Sequence, residues 1–327
     1  MNMNRHKSTG MKICVTFLMS CAVTAVCAQT YPTKPIRLIV STSAGGPQDI
    51  LARQLSAYLS ESLGKQVVVD NRAGGSGTIG AELVARSAPD GYTMLVSATN
   101  FIILPLLVGN VPYDPIRDFS PITLMLTSPN ILVVHPSVAA TSVKELIALA
   151  RSQPGKLNYS AGSSGASPHL AGELFKSMAK LDIVHVPYKG TAPALSALVA
   201  GQVQLMFSTA IAAVPQIKSG RVRALAVTSA QRSSQDRDLP TIAESGLPGY
   251  ECGVGYGLVM RAGTPQTIVR VMNSHVLKFL QRPETKASLA AEWSEGIGSS
   301  PEQLVNHMKS EISRMGKLIK ATGIREE

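Results

Sequence analysis

Ile36-Arg37-Leu38-Ile39-Val40-Ser41-Thr42-Ser43-Ala44-Gly45-Gly46-Pro47-Gln48-Asp49 is the stretch on which the fold turns. Its first five residues read as a buried strand, its middle as a loop of small residues, and its end as the mouth of a helix. That helix is expected over Ile50 to Leu63, with Leu51, Leu55, Tyr58 and Leu59 on one face and Gly64 closing it. The same device returns later: the strand Leu157 to Ser160 opens into Ala161-Gly162-Ser163-Ser164-Gly165-Ala166-Ser167. A helix follows, with Pro168 at its first position and Ser167 as its cap. Glycine and serine in such loops free backbone N–H groups at a helix N-terminus, where the dipole favours an anion. Gly-rich turns are common in α/β proteins, but two that face each other would hold a small mono- or dicarboxylate without an arginine.

Working outward, strands are expected at Val67 to Asp70, Thr93 to Ser97, Ile131 to Val134, Ile183 to Val186, Val203 to Phe207 and Arg223 to Thr228. Helices alternate with them over Thr78 to Arg86, after the Ser142/Glu145 capping box, and over Ala194 to Ala200. This is an α/β pattern of two similar units, each a mostly parallel sheet flanked by helices, with a ligand cleft between the carboxyl ends of the sheets. After Pro240 the sequence reads as irregular and Gly-rich, until helices over Gln266 to Leu280 and Pro301 to Lys320, the latter capped by Ser300 and Gln303. The C-terminal part is expected to return to the first unit, giving lobe I as 29–127 plus 230–327 and lobe II as 128–229.

The 327 residues are 45% hydrophobic and only 16% charged, which excludes disorder and supplies a sizeable core. Residues 1–28 form a leader: Arg5, Lys7 and Lys12 precede the apolar run Ile13 to Val26, and Val26-Cys27-Ala28 ends in the small residues a signal peptidase needs. Cleavage is expected after Ala28, placing the mature chain in the periplasm; Cys21 in a lipobox-like setting is the weaker alternative. Without the leader, 28 basic residues stand against 21 acidic, and Cys252 is the only cysteine, so no internal disulfide can form.

Several chemistries find little support. The cysteines and six histidines show no metal-ligand spacing. Gly75-Ser76-Gly77-Thr78-Ile79-Gly80 fits a dinucleotide fingerprint, yet the next strand ends in Ser97-Ala98-Thr99-Asn100 with no carboxylate for a ribose. It reads better as a tight turn lending donors to the cleft. Gly162-Ser163-Ser164-Gly165-Ala166 approaches a nucleophile elbow, so an exported serine hydrolase stays open as an alternative, although sequence places no histidine beside Ser164. The basic residues are scattered without aromatic interleaving, which speaks against nucleic acid. No cofactor and no metal are expected.

In order and spacing, the markers Gly45-Gly46-Pro47-Gln48-Asp49, Asn71-Arg72-Ala73-Gly74-Gly75-Ser76-Gly77, Ala88-Pro89-Asp90-Gly91-Tyr92-Thr93, Pro154-Gly155-Lys156-Leu157-Asn158-Tyr159 and Val184-His185-Val186-Pro187-Tyr188-Lys189-Gly190 resemble the Bug-type receptors of tripartite tricarboxylate transporters. The resemblance implies a two-lobed periplasmic binding-protein fold that closes on a small carboxylate and passes it to a large and a small transmembrane subunit. A monomer is expected, and a ligand-presenting sensor without transport is a further alternative. The expected ligand-binding residues are Ser43, Ala44, Gly45, Gly46 and Asp49 from the first loop and Ser163, Ser164, Ser167 and His169 from the second. Gly75, Ser97, Asn100, Tyr188 and Ser208 complete the set from neighbouring loops and strand ends. Two departures matter: the first loop is small and hydroxylated where that of relatives is often Pro-rich and aromatic, and Ser208-Thr209 stands where relatives often carry an aspartate that can meet a ligand ammonium. A plain carboxylate or hydroxy-acid is therefore expected rather than an amino acid.

Overall fold

The computed structural model describes residues 31–162, 165–322 and 324; the leader over 1–28 lies outside them. The elements in chain order are β1 (Ile36–Val40), α1 (Pro47–Leu63), β2 (Val67–Asn71), a 3-10 turn (Gly75–Gly77), α2 (Thr78–Ala85), β3 (Thr93–Ser97), α3 (Thr99–Val108), β4 (Phe119–Val134), α4 (Val143–Ser152), β5 (Asn158–Ala161) and α5 (Ser167–Ala179). Then follow β6 (Val184–Pro187), α6 (Thr191–Val199), β7 (Leu205–Thr209), α7 (Ala210–Lys218), β8 (Arg223–Val227), β9 (Gly253–Arg261), α8 (Gln266–Gln281), α9 (Pro283–Ala291), β10 (Glu295–Gly296) and α10 (Pro301–Thr322).

Two sheets share one strand. In the first, β2, β1 and β3 run parallel, β9 joins β3 antiparallel, and β4 joins β9 antiparallel with β10 on its other edge. From Asn130 onward β4 enters the second sheet, antiparallel to β7 and β8, while β5 and β6 extend it in parallel beyond β7. Each sheet thus carries three parallel strands and an antiparallel neighbour, flanked by helices.

Local chemistry sets the elements that matter for function. In α1, Pro47 pre-sets φ for the first turn, and Gly64 ends the helix at φ 63°. The Gly45 N–H donates to Asp49 Oδ2 at 2.9 Å, which pins the turn and lets the helix begin before the expected Ile50. Its Leu51, Leu55 and Leu59 pack with Ile36, Leu38 and Val40. Each is worth about 1.5–3 kcal/mol relative to exposure.

The structure departs from the sequence pattern in four places. β9 occupies a central position where an irregular stretch was expected, because its glycines answer to close approach. A Cβ at Gly255 would lie 2.9 Å from His307 Nε2, and one at Gly257 2.8 Å from Ser97 Oγ. β4 starts at Phe119 and runs through Pro121 and Pro129, with register shifts absorbing the irregularity near Pro121. α3, apolar on all sides and containing Pro105, is held by the rings of Phe101, Tyr113 and Phe119. Finally, Ser167 is not the cap of α5: Ala166 holds that position, and the Ser167 hydroxyl donates to Gly253 O at 2.8 Å.

That contact belongs to the junction where the chain crosses between the two sheets. Asn130 N–H donates to Thr228 Oγ1 and Thr228 N–H to Asn130 O, each at 2.9 Å, while Cys252 N–H donates to Thr228 O at 3.0 Å. The Thr228 hydroxyl faces the carbonyls of both Asn130 and Cys252, and the Asn130 amide donates to Ser167 Oγ. Residues after β8 stay with the second sheet, since Ile242 N–H donates to Val227 O and Tyr250 OH to Ala171 O. The chain re-enters the first sheet at Gly253, not at residue 230 as the sequence pattern suggested. α10 then packs against β4, α3 and α5.

Candidate functional site

Five helices begin at one small cavity between the two sheets. Its wall takes Thr42, Pro47 and Gln48 from the start of α1, Ala98 to Asn100 from α3, Ala166 to Pro168 from α5, Gly190 and Thr191 from α6, Thr209 from α7, and Val254 and Tyr256 from β9. The N-cap residues of these helices are Gly46, Ala98, Ala166, Gly190 and Thr209, and none caps its helix with a side chain. The two helices closed by serine caps, α4 through Ser142 and α10 through Ser300, start elsewhere. Each uncapped terminus leaves first-turn N–H groups unsatisfied and carries roughly +0.5 of a charge. None of the described lining side chains is charged, so the positive potential there comes from the backbone.

The cleft is nearly shut. The cavity holds about 40 Å³, and the sheets meet around it through glycines. A Cβ at Gly190 would lie 2.6 Å from Ser43 Oγ, and one at Gly165 would lie 3.0 Å from Leu107 Cδ1. A larger cavity of about 750 Å³ lies against the crossing segments Thr127–Pro129 and Glu251–Gly255. Its arginines are already engaged, Arg314 with Glu311 and Arg232 with Glu244.

Of the residues expected at the site, Asn100 and Ser167 line the cavity. Asn100 also donates from Nδ2 to Ser76 O at 2.8 Å, fastening the turn that contains Gly75. The Asp49 carboxylate points back into its own loop, accepting from Gly45 N–H and from Arg53 Nε at 2.9 Å. Burial opposes its ionisation, but Arg53, the Gly45 N–H and Asn71 outweigh that and hold its pKa below the usual range. With Ser43, Ala44 and Gly46 it shapes the loop rather than the cavity wall. Ser97 abuts Gly257, Ser208 donates to Thr209 O, and Tyr188 packs on the core beneath α6. Ser163 and Ser164 lie outside the described residues. Gln48, Thr99, Thr191, Thr209 and Tyr256 were missed. A usable signal was present, because glycine or alanine at four of the caps marks helices whose N-termini are left for something else.

His169 stands behind the second loop, buried, with Nδ1 accepting the Gly165 N–H at 3.2 Å. Its ring lies against His185, which stacks on Tyr159, and Tyr159 OH donates to Glu173, itself paired with Lys176. Burial pushes the His169 pKa down, Glu173 pulls it up, and Lys176 lowers it further, leaving it below the ordinary value. The unfolded chain therefore binds the proton first. The neutral ring's contribution to stability is whole above about pH 6.5 and declines below it, down to the lower folded pKa. Melting temperature is expected to fall with pH below that point, and His169→Gln should flatten the curve; parallel curves for the two proteins would show that His169 does not carry the effect.

A model described as the tripartite tricarboxylate transporter family receptor matches residues 51–324. Protein BugT of Bordetella pertussis is 34% identical over 315 residues, covering 94% of this chain and 96% of BugT. Among solved structures, R. palustris Rpa4515 with adipate shares 40% identity at a TM-score of 0.88, covering 90% of this chain and 99% of that one. MatC (Rpa3494) from Rhodopseudomonas palustris with bound malate shares 30% identity at a TM-score of 0.85, covering 88% and 100%.

Proposed function

Because the chain belongs to the tripartite tricarboxylate transporter receptor family, among its Bug-type members, we propose that it captures a small carboxylate outside the cytoplasm and delivers it to the large and small membrane subunits of such a transporter. The observation that carries this reading is the convergence of five uncapped helix N-termini on a cavity with no charged side chain in its wall. A carboxylate offers lone pairs to those N–H groups and negative charge to the dipoles, where a sugar offers only the former. The adipate and malate in the two related structures agree with that class. Residues 1–28 serve as the export leader in this reading, so the receptor works in the periplasm.

Binding proceeds by closure. The residues up to Pro129 and from Gly253 onward move as one lobe and Asn130 to Cys252 as the other. Donors from both meet only when the cleft is shut, so the ligand shifts the population toward the closed state. Binding, not catalysis, is the activity.

A thermal-shift screen of C3 to C6 mono- and dicarboxylates tests the proposal. A ligand at 100-fold its Kd stabilises the native state by about 2.7 kcal/mol, a clear rise in Tm. Shifts by sugars or amines with none by carboxylates would refute it.

A further inference from the structure

Gln48 is 4% exposed and lines the cleft cavity. Its Nε2 donates to Val96 O at 3.1 Å, at the end of β3. That bond fixes the amide's orientation, since the flipped rotamer would set two oxygens face to face. Oε1 is then left buried, with no hydrogen-bond donor among the described residues. The helix N-termini around it present N–H donors, which a carboxylate satisfies, and the buried Thr209 hydroxyl on the same wall can donate as well as accept. A carboxylate cannot satisfy Gln48, because an ionised carboxylate only accepts. The missing partner must bring a proton of its own.

Resting on the carboxylate reading above, we propose that Gln48 determines specificity by accepting a hydrogen bond from a hydroxyl on the ligand, so that the receptor selects hydroxy-carboxylates over their unsubstituted counterparts. A hydroxyl fits better than an ammonium, for none of the lining side chains carries a negative charge to balance one. Neutral donor and neutral acceptor match without burying further charge, whereas a deoxy ligand leaves Oε1 without a ligand partner when the cleft shuts.

The test is calorimetry on the mature protein with matched ligand pairs, malate against succinate and lactate against propionate, and with aspartate beside them, for wild type and Gln48→Met. Methionine keeps the length of the side chain and removes the acceptor. Wild type is expected to favour the hydroxylated member of whichever pair binds by roughly tenfold. Gln48→Met should lose that preference from both sides, weakening the hydroxy-acid and strengthening the deoxy ligand, which no longer leaves an acceptor unpaired. Three outcomes overturn the proposal. Equal losses for both members would mean that Gln48 supports the loop or holds a bridging water. An unchanged preference would place the hydroxyl elsewhere. Tighter binding of aspartate than of malate would make the donor an ammonium. In all three some carboxylate still binds, which separates them from failure of the receptor reading, where none does.

Discussion

Gly190→Val is expected to weaken ligand binding by roughly thirtyfold, about 2 kcal/mol, more than it destabilises the fold of the free protein. Gly190 lines the cavity, caps α6 at φ 137°, and faces Ser43 across the cleft. Two costs follow from a side chain there, and they fall on different states. The positive φ strains any L-residue whether the lobes are open or shut, so it lowers Tm. The clash arises only on closure, so it raises Kd. Alanine and valine separate the two. Alanine's Cβ would sit 2.6 Å from Ser43 Oγ, an atom that can swing aside, while the Ser43 backbone N stays 3.6 Å away. Valine's further carbons reach that backbone, which has no such freedom. Both variants should melt lower by a similar amount, and only valine should lose most of its affinity. Calorimetry beside thermal melts decides the matter; equal affinity losses for both would mean that strain in α6, not closure, governs binding.

Thr228→Val should be the most damaging isosteric change at the crossing between the two sheets, costing about 3 kcal/mol and several degrees in Tm. The valine leaves the buried Asn130 N–H without its acceptor and puts a methyl group against the Asn130 and Cys252 carbonyls. Thr228 is fully buried, so water cannot step in. Thr228→Ser keeps the hydroxyl and loses one methyl, so it should retain most of the stability. Denaturant melts of the two variants give the comparison; equal destabilisation would assign the loss to packing rather than to the hydroxyl.

Much of the site was legible because anion binding at a helix mouth is a local property. A strand, a loop of small residues and a helix are contiguous in sequence, and the loops Ser43–Asp49 and Ala161–Ser167 announced two of the five termini. The other three were hidden for separate reasons. α3 carries a proline and no polar face, so no period marks it. The starts of α6 and α7 follow strands whose ends gave no Gly-rich signal as strong. Gln48 sat inside the quoted motif and passed unnoticed, since nothing in a sequence says that Nε2 will be taken by Val96 O and Oε1 left over.

The sequence by itself determined the α/β class, the two repeated units and the family. Hydrophobic period, cap chemistry and motif order act over short stretches of chain, and each can be read there. Tertiary structure decided where the units join. Gly255 and Gly257 look like breaks until His307 and Ser97 approach them, which makes β9 a central strand. Ser167 looks like a cap until Gly253 O and the Asn130 amide reach it, which ties the start of α5 to both crossing segments. Tertiary structure also decided that Gln48 Oε1 in the cleft has no donor among the described residues. These are contacts between residues far apart in the chain, and a hydrogen bond or a close approach exists only once both partners have been brought together.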